Sequence, residues 1–251
     1  MIGQLIWFLT IAVQIGLIVH VLRTGRPIFW AFVIFFAPLI GSLVYFFVEL
    51  LPELSGNPRT RTALRGIRKS LDPNADIRKL EMQYSLSGSV DAARHLADEL
   101  IDAGRFEEAI EHYQGALKGM YEHDPNLLLG LAEAQFGHED YVASKITLER
   151  LAVENPNFKS APGHLLYART LENSGETEAA LEEYAAVSVY YAGAEAKCRF
   201  ASLLEREGQN ERALELFQDI VDSAELAPRH YRRAQSEWIS QAKDGVRRLT
   251  A

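Results

Sequence analysis

A single cysteine, Cys198, stands in 251 residues. No intramolecular disulfide, CxxC zinc site or thioredoxin-like pair can be built from one thiol. The expected role of such a residue is a small buried side chain. Motifs of catalysis are also missing: there is no His-x-Lys, no HExxH, no Gly-rich phosphate loop and no GxSxG elbow. Seven histidines are scattered, and His138-Glu139-Asp140 falls at a turn, where polar residues belong anyway. Glu108 and His112 share a helix face at a spacing a metal could use, but that pairing reads as an ordinary surface pair. The sequence therefore predicts a protein that is not an enzyme, with no catalytic residue, no metal site and no cofactor.

Charge is scarce at one end. The first 51 residues hold only Arg23, Arg26 and Glu49. Residues 2–22 run without a charge, and residues 28–51 carry only Glu49. About 20 apolar residues suffice to cross a bilayer core as a helix, and the Gly and Pro of "RTGRP" break the chain between the runs. The expectation is a two-helix transmembrane hairpin. A secretory signal fits less well, because "MIGQ" has no side-chain charge and a second apolar run follows at once. The neck is basic: Arg59, Arg61, Arg65, Arg68 and Lys69 would face anionic membrane lipids from a helix that lays Leu64, Ile67 and Leu71 on one side. Those five against Arg23 and Arg26 predict the following domain on the cytoplasmic side. Residues 81–251 instead hold 17 Lys and Arg against 30 Asp and Glu. A body that acidic repels phosphate, so no nucleic-acid partner is expected.

What is abundant is repetition. "DAGRFEEAIEHYQGAL" (102–117) returns as "NSGETEAALEEYAAV" (173–187) and "REGQNERALELFQDI" (206–220). Aligned on a small residue, the anchors are Ala109, Ser144, Ala180 and Ala213, spaced 35, 36 and 33 apart. A period near 34 means stacked helix–turn–helix units. Twelve positions before each anchor sits Ala97, Ala132, Ala168 or Ala201, and four after it Tyr113, Leu148, Tyr184 or Phe217. Small residues on both helices of a pair let the backbones approach, and the bulky one fills the space toward the next unit. Gly104, Gly175 and Gly208 suit a left-handed helix end. Glu139 takes that place in the second unit, so that turn is expected to differ. "MYEHDP" should delay the helix after the first unit. An amphipathic helix over 74–87 should lead in, and one long helix over 227–249 should cap the end, apolar inside and polar outside.

This pattern resembles the tetratricopeptide repeat (TPR) family in a divergent bacterial form, over roughly 90–225. The usual early Trp is replaced by Ala93, Leu128, His164 and Lys197. The resemblance implies an all-α fold, a TPR-like α-solenoid of about four repeats. It also implies a partner groove lined by the first helix of each unit. Carried over, its positions are Asp91, Arg94, Asp98 and Ile101; Asn126, Leu129, Glu133 and Phe136; Leu165, Arg169 and Glu172; and Cys198, Ser202 and Glu205. Leu129, Phe136 and Leu165 would form an apolar patch. Separately, "RPIFWAFVIFFAPLIGSLVYFF", through Arg26, Pro27, Trp30, Pro38, Gly41 and Tyr45, resembles the N-terminal membrane module of the phospholipase D and cardiolipin synthase family.

The domain expectation is thus a transmembrane helical hairpin over 1–51, a basic juxtamembrane neck and lead-in helix over 52–80, TPR-like repeats over 81–226 and a capping helix over 227–251. The functional expectation is a non-catalytic, membrane-anchored scaffold or adaptor that holds protein partners in its groove. It would sit in the bacterial inner membrane as a two-span protein with cytoplasmic repeats. The alternative is a lipid-binding or regulatory subunit of a membrane enzyme, acting through the hairpin.

Overall fold

The computed structural model describes residues 11, 14–21, 23, 27, 29–36, 44–45, 72 and 74–250. The chain divides into two compact units, residues 1–75 and 76–251. All regular structure among the described residues is helical.

In the first unit, residues 14–21 are helical and α1 spans Phe29–Phe36. Val21, Ile34 and Tyr45 are fully buried against Leu17, Ile18, Trp30 and Ala31. The Gln14 amide donates to the Ile34 carbonyl at 2.7 Å. His20 Nδ1 lies 2.9 Å from the Tyr45 hydroxyl. The eight residues of α1 rise only about 12 Å, against the roughly 30 Å of a bilayer core. Among the described residues no helix is long and apolar enough to cross a membrane. That overturns the assignment to the inner membrane as a two-span protein with its repeats on the cytoplasmic side. Length was counted along an apolar run, whereas the described helix is far shorter than the run that contains it. The rest of both apolar runs, and the neck with Arg59, Arg61, Arg65, Arg68 and Lys69, lie outside the described residues.

The second unit follows the period. The lead-in helix α2 (Ala75–Ser87) sets Ile77, Leu80 and Tyr84 against the first core cluster. Four helix pairs follow: α3 (Val90–Asp102) with α4 (Phe106–Ala116), and α5 (Pro125–Gly137) with α6 (Tyr141–Glu154). Next come α7 (Ala161–Asn173) with α8 (Thr177–Val187), and α9 (Glu195–Arg206) with α10 (Asn210–Leu226). Each helix packs on the next, and first helices of successive units also meet, α3 on α5 and α5 on α7. Their row is the inner face of the array.

The small-residue register is the reason for this close stacking. All four anchors and all four small partners are buried, as are Tyr113, Leu148, Tyr184 and Phe217. Approach is closest where a bulky ring meets a glycine. A Cβ on Gly130 would lie 2.3 Å from the Tyr113 ring, and one on Gly245 2.5 Å from the Phe217 ring. The second unit adds polar joints, with Ser144 Oγ donating to the Ala132 carbonyl at 3.0 Å and Thr147 Oγ1 to Gln135 Oε1 at 2.7 Å. The delay after the first unit is a 3₁₀ turn at Gly119–Tyr121. The Asp124 carboxylate then caps α5 by accepting from the Asn126 and Leu127 amides.

Two local expectations are corrected. Glu139 was expected to give a different turn, yet it adopts φ +63°, the conformation of Gly104 at +75° and Gly175 at +80°. The same pair of hydrogen bonds closes all three turns: Glu139 to Phe136 and Asp140 to Gln135 repeat Gly104 to Ile101 and Arg105 to Leu100. Packing imposes the turn, and the side chain accepts its strain. The nearby Gly137 serves contact instead, since a Cβ there would meet the Phe106 ring at 2.3 Å. The final helix is also not continuous. α11 (Arg229–Ala234) stops and α12 (Ser236–Thr250) begins around Gln235. Gln235 Oε1 accepts from the Ala194 amide at 3.0 Å, at the start of α9, where no side chain of α9 itself caps the helix. α12 then lies against both α9 and α10 and buries Ile239, Ala242 and Gly245, which makes it the cap.

Candidate partner-binding surface

The inner face is built from one stripe of each first helix, because residues three and four apart lie on one side of a helix. On α3, Arg94 reaches Asp91 at 3.1 Å and Asp98 at 3.4 Å. The Tyr113 hydroxyl, arriving from α4 behind, donates to Asp98. On α7, Glu172 repeats the device: it accepts from the Tyr184 hydroxyl at 2.5 Å and pairs with Arg206 of α9. Burial, with these carboxylates, pushes both phenols far above their ordinary value. On α9, Glu205 is held by Arg248 of the cap through bonds of 2.9 and 2.7 Å. That contact holds the Glu205 carboxyl below its usual range.

The centre of the face differs from its ends. Arg169 of α7 lays its guanidinium over the Phe136 ring, 4.5 Å from the centroid. Phe136 also meets Tyr141 edge-on at 5.3 Å. Arg169 Nε is buried without a hydrogen-bond partner among the described residues. Desolvation lowers its pKa, with Arg199 adding to the effect and Glu195 opposing it. Glu133 stands one turn before Phe136. Its side chain is open to solvent, but the surrounding wall crowds the carboxylate and raises its pKa, with Asp98 adding repulsion and Arg169 opposing it. A weakly compensated cation, an aromatic ring and a partly desolvated carboxylate therefore sit together, while the flanking charges are already paired.

Not every position carried over from the resemblance opens onto this face. Leu165 is only 3% exposed and belongs to the core cluster. Leu129 and Phe136 are half-buried, so the apolar patch is two residues, one of them roofed by Arg169. Cys198 is fully buried, its Sγ 3.7 Å from the Trp238 carbonyl, and burial pushes the thiol up to about 11. Asp91, Asn126 and Glu133 are exposed, and Ile101 and Ser202 half-buried. Elsewhere, Glu108 is bound by Arg105 at 2.6 Å, and His112 rests edge-on against Tyr84. Among the described residues no group of three metal-ligating side chains converges.

A separate cleft escaped the sequence reading. It holds about 880 Å³ between α6, the 155–160 loop and the start of α7. His164 anchors it, with Nε2 at 2.5 Å from Glu183 and Nδ1 on the Tyr190 hydroxyl. The one signal available was a histidine where the repeat pattern usually carries Trp.

Residues 100–161 match the tetratricopeptide repeat family model. The fold resembles TTC0263, a thermophilic TPR protein in Thermus thermophilus, at 17% identity and a TM-score of 0.53, covering 75% of this chain and 96% of that one. It also resembles MamA, at 16% identity and a TM-score of 0.50, covering 73% and 94%. A comparison with curated proteins found no match. The chain therefore carries a divergent TPR fold. The comparisons lend no support to the phospholipase D and cardiolipin synthase resemblance of the first apolar residues.

Proposed function

We propose that this TPR-type solenoid is a non-catalytic scaffold that holds a protein partner against the inner face of its repeats. The observation that carries the reading is the centre of that face, where Arg169 over Phe136 has an unpartnered buried Nε beside a carboxylate raised by crowding. A guanidinium so poorly compensated in the free protein gains when a partner brings opposite charge close to it. A partner segment presenting a carboxylate beside an apolar side chain would offset the Arg169 charge while covering Phe136 and Leu129. The flanking pairs Arg94–Asp98 and Arg248–Glu205 would hold the walls rather than contribute directly.

The test compares full-length protein with Arg169→Ala and Phe136→Ala variants in cross-linking pull-downs from the source cells. Arg212→Ala, an exposed change on α10, serves as the control. Partners retained by wild type and control but lost from both inner-face variants support the scaffold reading. An identical set of partners on all four proteins would place the interaction elsewhere.

A further inference from the structure

The cleft beside α7 shares none of its charged side chains with the inner face. Its volume of about 880 Å³ lies in the range that small-ligand pockets occupy. The walls are Leu148, Leu151 and Ala152 of α6, with Phe158, Tyr167 and Tyr190 offering three aromatic rings. Tyr190 is 54% exposed, yet its hydroxyl is fastened to His164, which holds the ring at the mouth.

Carboxylates outnumber cations in the lining of this cleft. Two carboxylates line it, Glu149 and Glu183, against one ammonium among the described lining residues, Lys159 on the exposed loop. Glu149 has little compensation. Lys145 approaches it only to 3.9 Å while binding both oxygens of Glu176 at 2.8 and 2.6 Å. Tyr167 donates to Glu149 at a long 3.4 Å. Glu183 meets His164 through one oxygen, Oε2, and a tautomer that donates from Nε2 and accepts at Nδ1 satisfies both His164 contacts. Aromatic faces attract cations, and carboxylates at the rim of an apolar cavity do so more strongly still.

We propose that this cleft binds a small apolar molecule bearing a positive charge, an aromatic or branched-alkyl amine. Its ring or alkyl body lies among Leu148, Leu151, Phe158 and Tyr167, and its ammonium lies toward Glu149 and Glu183. The lining includes none of Phe136, Arg169 and Glu133 of the inner face.

Tryptamine and indole-3-propionate share one ring system and differ in the sign of charge. Each is titrated into the full-length protein while the amide resonance of Gly163, which lines the cleft, is followed by NMR. The expected result is a saturable shift with tryptamine, at an affinity about 10-fold above that of the propionate. Ala152→Trp, at an exposed wall position, should abolish the shift, and Glu149→Gln should weaken tryptamine several-fold without touching the core. Equal or tighter binding of the propionate overturns the proposal. So does a tryptamine shift that survives Ala152→Trp, or the lack of any saturable shift in wild type.

Discussion

Replacing Glu139 with Gly should stabilise the protein, an unusual direction for a glycine substitution. Glu139 occupies φ +63° at the end of α5, a conformation glycine takes at Gly104, Gly175 and Gly208 in the equivalent turns. A side chain there forces Cβ toward the carbonyl, at a cost of about 1–2 kcal/mol. Glycine removes that cost but adds roughly 0.5–1 kcal/mol of backbone entropy to the unfolded chain. Glu139 is exposed and makes no side-chain hydrogen bond or ion pair among the described residues, so no contact is lost. The difference spans about 0–1.5 kcal/mol and centres on about 0.75 kcal/mol of stabilisation, or roughly 2–3 °C in Tm for a domain of this size. Gly104→Ala and Gly175→Ala, which impose the same strain on turns now free of it, should move the other way by about 1 kcal/mol. Thermal unfolding followed by circular dichroism reads all three. A lower Tm for Glu139→Gly, or no cost for either alanine variant, would refute the argument that packing rather than local preference sets this turn.

Gly130→Ala would drive a Cβ into the Tyr113 ring, which cannot retreat because its hydroxyl is held by Asp98. The expected loss is about 1–3 kcal/mol, and Tyr113→Phe in the same background should recover part of it; equal Tm values for Gly130→Ala and wild type would contradict the packing. Glu133 has a raised pKa, so the folded state holds its proton more tightly than the unfolded chain. Its ionisation therefore weakens folding as pH rises from the ordinary carboxylate value through the folded one. Glu133→Gln should raise Tm at pH 7 and make little difference at about pH 3.5, below the ordinary carboxylate value, and a gain confined to acid pH would reverse that sign.

How much could be read along the chain depended on the range of the interactions involved. The spacing of Ala97, Ala109 and Tyr113, and of their counterparts in three later units, was sufficient to predict stacked helix pairs. Helix pairing within a unit joins residues about a dozen apart, and the buried set follows the periodic pattern. The glycine helix ends were legible because only glycine takes a left-handed turn without strain. Glu139 was misread for the same reason: nothing local to it shows that the pairing of α5 with α6 enforces the turn. The apolar runs near the start were read by length and lack of charge, and the short described helices there gave no span.

The candidate sites needed contacts that no spacing encodes. The TPR resemblance placed Arg169 and Phe136 on the inner face, but only tertiary packing laid one over the other and left Nε without a partner. The same packing sent Leu165 and Cys198 into the core, and broke the final helix where Gln235 reaches Ala194 across 41 residues. His164, Glu183 and Tyr190 come together over separations of 19 and 26 residues, the last from the turn that follows α8. The sequence by itself determined the repeating unit, because each unit buries its own periodic apolar stripe. The tertiary structure decided which charges remain uncompensated, because that depends on how neighbouring units meet.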